Sequence, residues 1–222
     1  MLVFGENGYP VIIFPTSRAR YFQAKDNGLV EAAASFINSK KIKIYCPDSM
    51  DDESWYNDQV HPAERVRNHN LYENLILRDV LDYAVDDTGF KKVALAGCSF
   101  GGYHAVNMAF KHPDKVGYVI SMGGASNLKR LLNGYYDDHI YFNNPPDYLP
   151  NLNDGWYLDR IKKMTIILGV GDQDMCLNEN LELSRILNEK AIPHWLDIRK
   201  NTGHDWNWWR EMFPQYLSKI KI

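Results

Sequence analysis

Three short stretches hold the residue types that can activate a hydroxyl. Gly97-Cys98-Ser99-Phe100-Gly101 is a G-x-S-x-G match, Gly171-Asp172-Gln173-Asp174 offers two carboxylates, and Gly203-His204-Asp205-Trp206 offers an imidazole. A serine hydroxyl is a poor nucleophile at neutral pH. It needs a base within hydrogen-bond reach and an acid that holds the base in the right tautomer. It also needs N–H donors where the oxyanion forms on attack. These roles fall to Ser99 as nucleophile, His204 as base and Asp174 as orienting acid. Asp174 is preferred because it stands three residues past Gly171, with Asp172 as the alternative. One oxyanion donor is expected from the backbone of Phe100, the residue after the nucleophile. The second is expected from the loop Pro15-Thr16-Ser17-Arg18-Ala19, at the N–H of Ser17, with Thr16 as the alternative.

The other reactive groups carry less. His61, His69, His104, His112, His139 and His194 fall in helices, in loops or beside a strand, where a surface or structural role is the plainer account. Cys46, Cys98 and Cys176 are few, odd in number and far apart, which fits neither a disulfide framework nor a zinc motif. Cys176 lies near the acid but has no elbow, and reads as a small apolar residue. The acidic loop from Asp48 to Asp58 lacks calcium-loop spacing and its terminal Glu, so it is expected to be a solvated loop at the rim of the site. No metal and no cofactor is expected.

Each of these residues needs an element to hold it. Val93-Ala94-Leu95-Ala96 is apolar without alternation, as a strand buried on both faces requires. His104 to Phe110 reads as helix, stopped by His112-Pro113. Strand, glycine turn and helix are the setting in which G-x-S-x-G means a nucleophile elbow. A phosphate-binding turn at the helix N-terminus is the plainer alternative. Upstream, Asn7-Gly8 between the apolar runs Met1–Phe4 and Val11–Phe14 predicts a β-hairpin. A helix over Ala32 to Ser39 and a strand over Ile42 to Cys46 follow. A longer helix, Ala63 to Val85, is expected to turn Leu71, Leu75, Ile76, Val80, Leu81 and Ala84 inward. Further strands are expected at 116–122, 164–169 and 195–198. A helix from Glu179 to Lys190 should point Leu181, Leu183, Ile186 and Leu187 inward, and a terminal helix carries Trp208, Trp209, Met212, Phe213 and Leu217. Such alternation argues a mainly parallel sheet. Ser99, Asp172 or Asp174, and His204 each follow a strand, so they meet at one sheet edge. Residues 123–162 break the rhythm and are crowded with aromatics, so they are expected to cap the pocket as a lid. An ordinary excursion with aromatic core residues is the alternative. Substrate contacts are expected from Trp55, Tyr135, Tyr141, Trp156 and Trp206.

With 222 residues, 45% of them hydrophobic, the chain suits one α/β domain over residues 1–222, with the insertion 123–162 inside it. A net charge of −3 gives no argument for nucleic acid or an anionic membrane as partner. There is no run of 18 apolar residues and no basic leader followed by an apolar stretch, so a soluble, cytoplasmic protein is expected. Self-association is left open.

On Phe14-Pro15-Thr16-Ser17, Glu53-Ser54-Trp55-Tyr56, Gly97-Cys98-Ser99-Phe100-Gly101-Gly102, Gly171-Asp172-Gln173-Asp174 and Gly203-His204-Asp205-Trp206, the chain resembles the α/β-hydrolases of the putative esterase family. That group includes esterase D-like, enterochelin esterase-like and antigen 85-like proteins. The matches span nearly the whole chain, and α/β-hydrolases run Ser, Asp or Glu, then His, as here. The resemblance implies hydrolysis of a small-molecule carboxylic ester, no cofactor, and the three residues already named. In one departure, little chain precedes the first strands, so the usual first strand is expected to be short or missing. Thioester hydrolysis or acyl transfer by the same triad, and a non-catalytic binding protein with an aromatic pocket, stand as alternatives.

Overall fold

In the computed structural model, which describes residues 1–221, seven strands form one sheet. They are β1 (Leu2–Phe4), β2 (Tyr9–Phe14), β3 (Ile42–Cys46), β4 (Val93–Cys98), β5 (Val116–Met122), β6 (Thr165–Gly171) and β7 (Trp195–Arg199). Their spatial order is β1-β3-β2-β4-β5-β6-β7, and every neighbouring pair is parallel except β1 with β3. All six residues of β2 and of β4 are buried, the state that their unbroken apolar runs require. Successive side chains of β2 feed opposite layers: Ile12 and Phe14 pack with Tyr72, Val106 and Leu183, whereas Val11 and Ile13 pack with Leu29 and Phe213. Helices thus cover both faces.

From β2 the sheet grows to β3 and β1 on one side and to β4 through β7 on the other. The loops after β2 and β4 part at that reversal, where open α/β sheets bind ligands. Register aligns the strand ends: Phe14 lies beside Gly97, Cys98 beside Met122, Met122 beside Gly169, and Gly171 beside Arg199. The loops that carry Ser17, Ser99, Gly123, Asp174 and His204 therefore emerge along one edge.

The expected hairpin does not form. β1 pairs antiparallel with β3, starting at Leu2 opposite Cys46, and β2 lies on the other side of β3. A six-residue apolar strand such as β2 has two long edges to satisfy, and a three-residue partner would leave one largely unpaired. β3 and β4 take those edges instead. The helix expected over Ala32 to Ser39 is split into Leu29–Ala32 and Ala34–Asn38. The long helix runs Pro62–Leu75, then a π-helical Ile76–Leu81, then Asp82–Thr88. Leu71 and Leu75 stand in solvent on it, while Tyr72 and Glu73 turn inward. Both have polar partners there: Tyr72 Oη donates to the Asp48 carbonyl at 2.8 Å, and Glu73 meets Lys111 and His112. Leu181 is likewise exposed, and its neighbour Asn180 points inward to donate to the Gly124 carbonyl at 2.8 Å.

Residues 123–162 form short helices, among them Asp138–Tyr141, Pro145–Tyr148 and Gly155–Ile161. They lie along the flank of the Phe100–Lys111 helix that follows Ser99. Tyr103 Oη donates to the Asn143 carbonyl at 3.0 Å, Asn107 Nδ2 to Asn143 Oδ1 at 3.1 Å, and Tyr148 Oη to Asn107 Oδ1 at 3.2 Å. Ile140, Leu149 and Ile161 are fully buried beneath them. The segment covers that helix.

Candidate active site

Ser99 sits at φ 54° and ψ −123°, a conformation that costs a non-glycine residue on the order of 1–3 kcal/mol. Its backbone is pinned in place: the N–H donates to the Met122 carbonyl at 3.0 Å, and its carbonyl accepts from Gly102 and Ala125 at 3.0 and 3.1 Å. The flanking glycines close the turn. A Cβ on Gly97 would stand 2.2 Å from the Gly101 backbone, and one on Gly101 would stand 2.5 Å from the Phe14 carbonyl oxygen. Only without side chains at both positions does the helix start press against the end of β2.

Ser99 Oγ lies 2.9 Å from His204 Nε2, and His204 Nδ1 lies 2.8 Å from Asp174 Oδ1. With the Nδ1–H donated to the carboxylate, Nε2 is the acceptor for the serine proton. Asp174 is buried and also accepts the Cys176 N–H at 2.7 Å, which fixes that oxygen from a second direction. Its other oxygen is buried without a partner among the described residues. Asp172 is exposed and takes the Thr202 N–H at 3.3 Å, away from the imidazole. Gly123, at φ +54°, runs directly beneath the pair.

Of the two expected oxyanion donors, Ser17 lines the cavity that holds Ser99, and Phe100 directly follows Ser99 at the helix start. Thr16 gives its N–H to Gln23 Oε1 at 2.9 Å, whereas no acceptor among the described residues takes the Ser17 N–H. Phe100 opens its helix, where an N–H has no partner within the helix. Ser17 Oγ and Tyr56 Oη are 2.8 Å apart, and the Tyr56 ring stands edge-on to Phe100 at 5.0 Å. Burial pushes the Tyr56 phenol up, so it stays protonated at neutral pH.

A cavity of about 320 Å³ opens over Ser99, lined by Thr16, Ser17, His204, Asp205, Trp206 and Trp209. Trp209 meets the His204 ring edge-on at 4.9 Å, and Trp206 meets Trp209 at 5.0 Å. Of the expected aromatic contacts, Trp206 is at the pocket. Trp55 is wholly buried one layer below, against His69 and Tyr103. Tyr135 is half-buried beside His61, with its hydroxyl on Asp137. Tyr141 lines a different cavity, of about 610 Å³, with Phe110, Lys111 and His112. That is the far end of the helix that starts at Ser99, about 18 Å along its axis. Trp156 is exposed, under the Arg160 guanidinium, on a helix leading into the start of β6 at the opposite sheet edge. The expected lid is corrected accordingly: the insertion's aromatics clothe a helix, and the terminal helix supplies the pocket wall. Trp209, expected only on the terminal helix, and Tyr56, quoted only within the Glu53–Tyr56 stretch, were not expected as site residues from sequence. Trp209 lies three residues from Trp206, on the same helical face, and Tyr56 adjoins Trp55.

Asp174, Cys176 and His204 bring three ligand-type atoms within 4.8 Å of one another. Metal binding needs a thiolate, and burial pushes the Cys176 thiol up to about 12. The imidazole and carboxylate are also engaged with each other, so the trio fits proton handling better than metal binding. No helix among the described residues is long and apolar enough to cross a membrane.

A mainly parallel sheet with a serine elbow after β4, and the partner loops after β6 and β7, is an α/β-hydrolase fold. The chain belongs to the putative esterase family, whose model matches residues 10–220. Family and fold together make it a carboxylic-ester hydrolase. A comparison with curated proteins finds no match. Among solved structures, a ferulic acid esterase superposes with a TM-score of 0.75 at 17% identity, over 95% of this chain and 83% of that one. The S-formylglutathione hydrolase of Staphylococcus aureus gives 0.69 at 15%, over 98% and 82%. A ferulic acid esterase of Anaeromyces mucronatus, solved with ferulic acid, gives 0.64 at 16%, over 96% and 79%. At such identities the likeness is one of fold.

Proposed function

We propose that the chain hydrolyses esters through an acyl-enzyme on Ser99. The observation that carries this is the series Ser99 Oγ, His204, Asp174, linked at 2.9 and 2.8 Å and opening into a pocket that Ser17 also lines. His204 Nε2 takes the serine proton as Oγ attacks the ester carbonyl, and the Asp174 carboxylate stabilises the imidazolium. The N–H groups of Phe100 and Ser17 receive the oxyanion. Collapse of the tetrahedral intermediate breaks the ester C–O bond, and His204 returns the proton to the leaving alcohol. Water, deprotonated by the same imidazole, then releases the acid and restores Ser99.

The pocket is small and one wall is indole. It suits a short or flat acyl group, and two of the similar solved structures are ferulic acid esterases, one of them solved with ferulic acid, an aromatic acid. We read the substrate as a small-molecule ester of such an acid. Fluorophosphonate labelling of the wild type and of Ser99→Ala tests the nucleophile. A panel of acetyl, hydroxycinnamoyl and thioester substrates tests the acyl preference. Ser99→Ala should lose label and about 10⁴-fold or more in kcat. Retention of activity within tenfold would remove Ser99 from the mechanism.

A further inference from the structure

Asp51 is buried in the loop after β3 and takes no part in the hydrogen-bonded series. One of its oxygens lies 2.9 Å from His104 Nε2, and the other accepts the Arg18 N–H at 3.0 Å. His104 is buried as well, on the first turns of the helix that begins at Phe100, with its ring edge-on to the Phe100 ring at 5.0 Å. Arg18 directly follows Ser17 and sits at φ +58°, a left-handed conformation uncommon for arginine. The Asp51 carbonyl accepts the Tyr56 N–H at 2.9 Å, and Tyr56 Oη bonds Ser17 Oγ at 2.8 Å. One residue thus grips both walls of the oxyanion site: the helix start with the Phe100 N–H, and the loop with the Ser17 N–H.

We propose that Asp51 is a positioning residue that fixes the spacing of the two oxyanion donors, with His104 as its anchor on the elbow helix. The inference rests on the serine-hydrolase reading above. Oxyanion donors work only when held about 2.7–3.1 Å from the oxygen that develops charge, and losing one costs about 10²–10³-fold in kcat. The Ala19 N–H closes the Thr16–Ala19 turn on the Thr16 carbonyl at 3.1 Å, but that bond lies within the loop and does not tie it to the elbow helix. The buried Asp51 carboxylate makes that tie, through the Arg18 N–H on one side and His104 on the other.

The test compares Asp51→Ala, Asp51→Asn and His104→Gln with the wild type. Three quantities are read: kcat and KM on an activated ester, and the inhibition constant of an aryl trifluoromethyl ketone. The hemiketal formed by that ketone on Ser99 carries its oxyanion in the same place. Asp51→Ala should lower kcat about 30- to 100-fold with KM within about threefold, and weaken the ketone by the same factor as kcat/KM. Asp51→Asn keeps an acceptor for the Arg18 N–H and should recover activity to within about tenfold of wild type. A folded Asp51→Ala whose kcat and ketone affinity both stay within threefold overturns the proposal. So does a loss of kcat with ketone affinity unchanged, the mark of a purely structural role. If Asp51→Ala does not fold, His104→Gln decides: parallel falls in kcat and ketone affinity uphold the proposal, and divergence or no change overturns it. An unlabelled, inactive wild type would overturn the serine-hydrolase reading itself, and the positioning role with it. An active wild type with unaffected variants overturns only the role of Asp51.

Discussion

Gly123→Ala would put one methyl group where the site has no room for it. The glycine N–H donates to the Gly169 carbonyl at 2.7 Å, so the backbone is tied to β6 and cannot retreat easily. The added Cβ would lie 2.6 Å from Asp174 Oδ2, 3.1 Å from His204 Nδ1 and 3.2 Å from Trp209 Nε1. Ordinary contact begins near 3.4 Å, so the acid must move by the difference between 3.4 and 2.6 Å, about 0.8 Å. A displacement of that size at a catalytic group costs about 10²-fold in rate. The left-handed φ of +54° adds a backbone cost of about 1–2 kcal/mol. Gly134→Ala separates the two effects, because Gly134 has φ +80° and nothing within 4 Å of its added Cβ. Both variants should lower Tm, by about 2–4 °C for each kcal/mol in a chain of this size. Only Gly123→Ala should also lose about 10²-fold in kcat on an activated ester. Calorimetry and steady-state kinetics on the pair read both quantities. If Gly123→Ala keeps kcat within threefold while its Tm falls like that of Gly134→Ala, the close approach of Gly123 to Asp174 does not constrain the acid.

Asp174→Asn should cost about 10³–10⁴-fold in kcat, whereas Asp172→Asn, exposed and turned away from the imidazole, should stay within about threefold. Trp206→Ala should raise KM and reorder an ester panel, whereas Tyr141→Ala and Trp156→Ala should leave the order unchanged, with near-UV circular dichroism reporting the fold of each. Burial alone would raise the Glu73 carboxyl, but His112 and Lys111 hold it down at about 2. The unfolded chain therefore takes up this proton first, near pH 4.5, and stability that is fully present above that pH drains away as the pH falls towards 2. That loss is on the order of 3 kcal/mol, and urea midpoints across the range should be flatter for Glu73→Gln.

The motif residues were legible because each chemical role restricts both residue type and position after a strand. Ser99, Asp174 and His204 lie in loops that strand register brings to one edge, and Ser17 was separable from Thr16 only once Gln23 was seen to occupy the Thr16 N–H. The strands read well wherever an apolar run was unbroken, as in β2 and β4. Partner choice did not, since Asn7-Gly8 reads as a hairpin turn whether or not β3 lies between the strands it joins. Helix faces failed where polar residues had buried partners distant in sequence: Tyr72 with Asp48, and Glu73 with Lys111 and His112. The insertion failed for a related reason. An aromatic residue looks the same in sequence whether it faces a substrate or covers a helix, and Asn143, which fixes that segment to Tyr103 and Asn107, carries no signal of its own.

Buried hydrogen bonds at Asn143 and Tyr148 tie residues 123–162 to the helix flank, and none of these residues lines the cavity over Ser99. On the acyl-enzyme mechanism proposed above, ester and product should therefore exchange with solvent without waiting for that segment to close, which leaves bond making and deacylation to set the rate. An acyl group can then hang from a leaving group far larger than the cavity, since only the acyl end must enter.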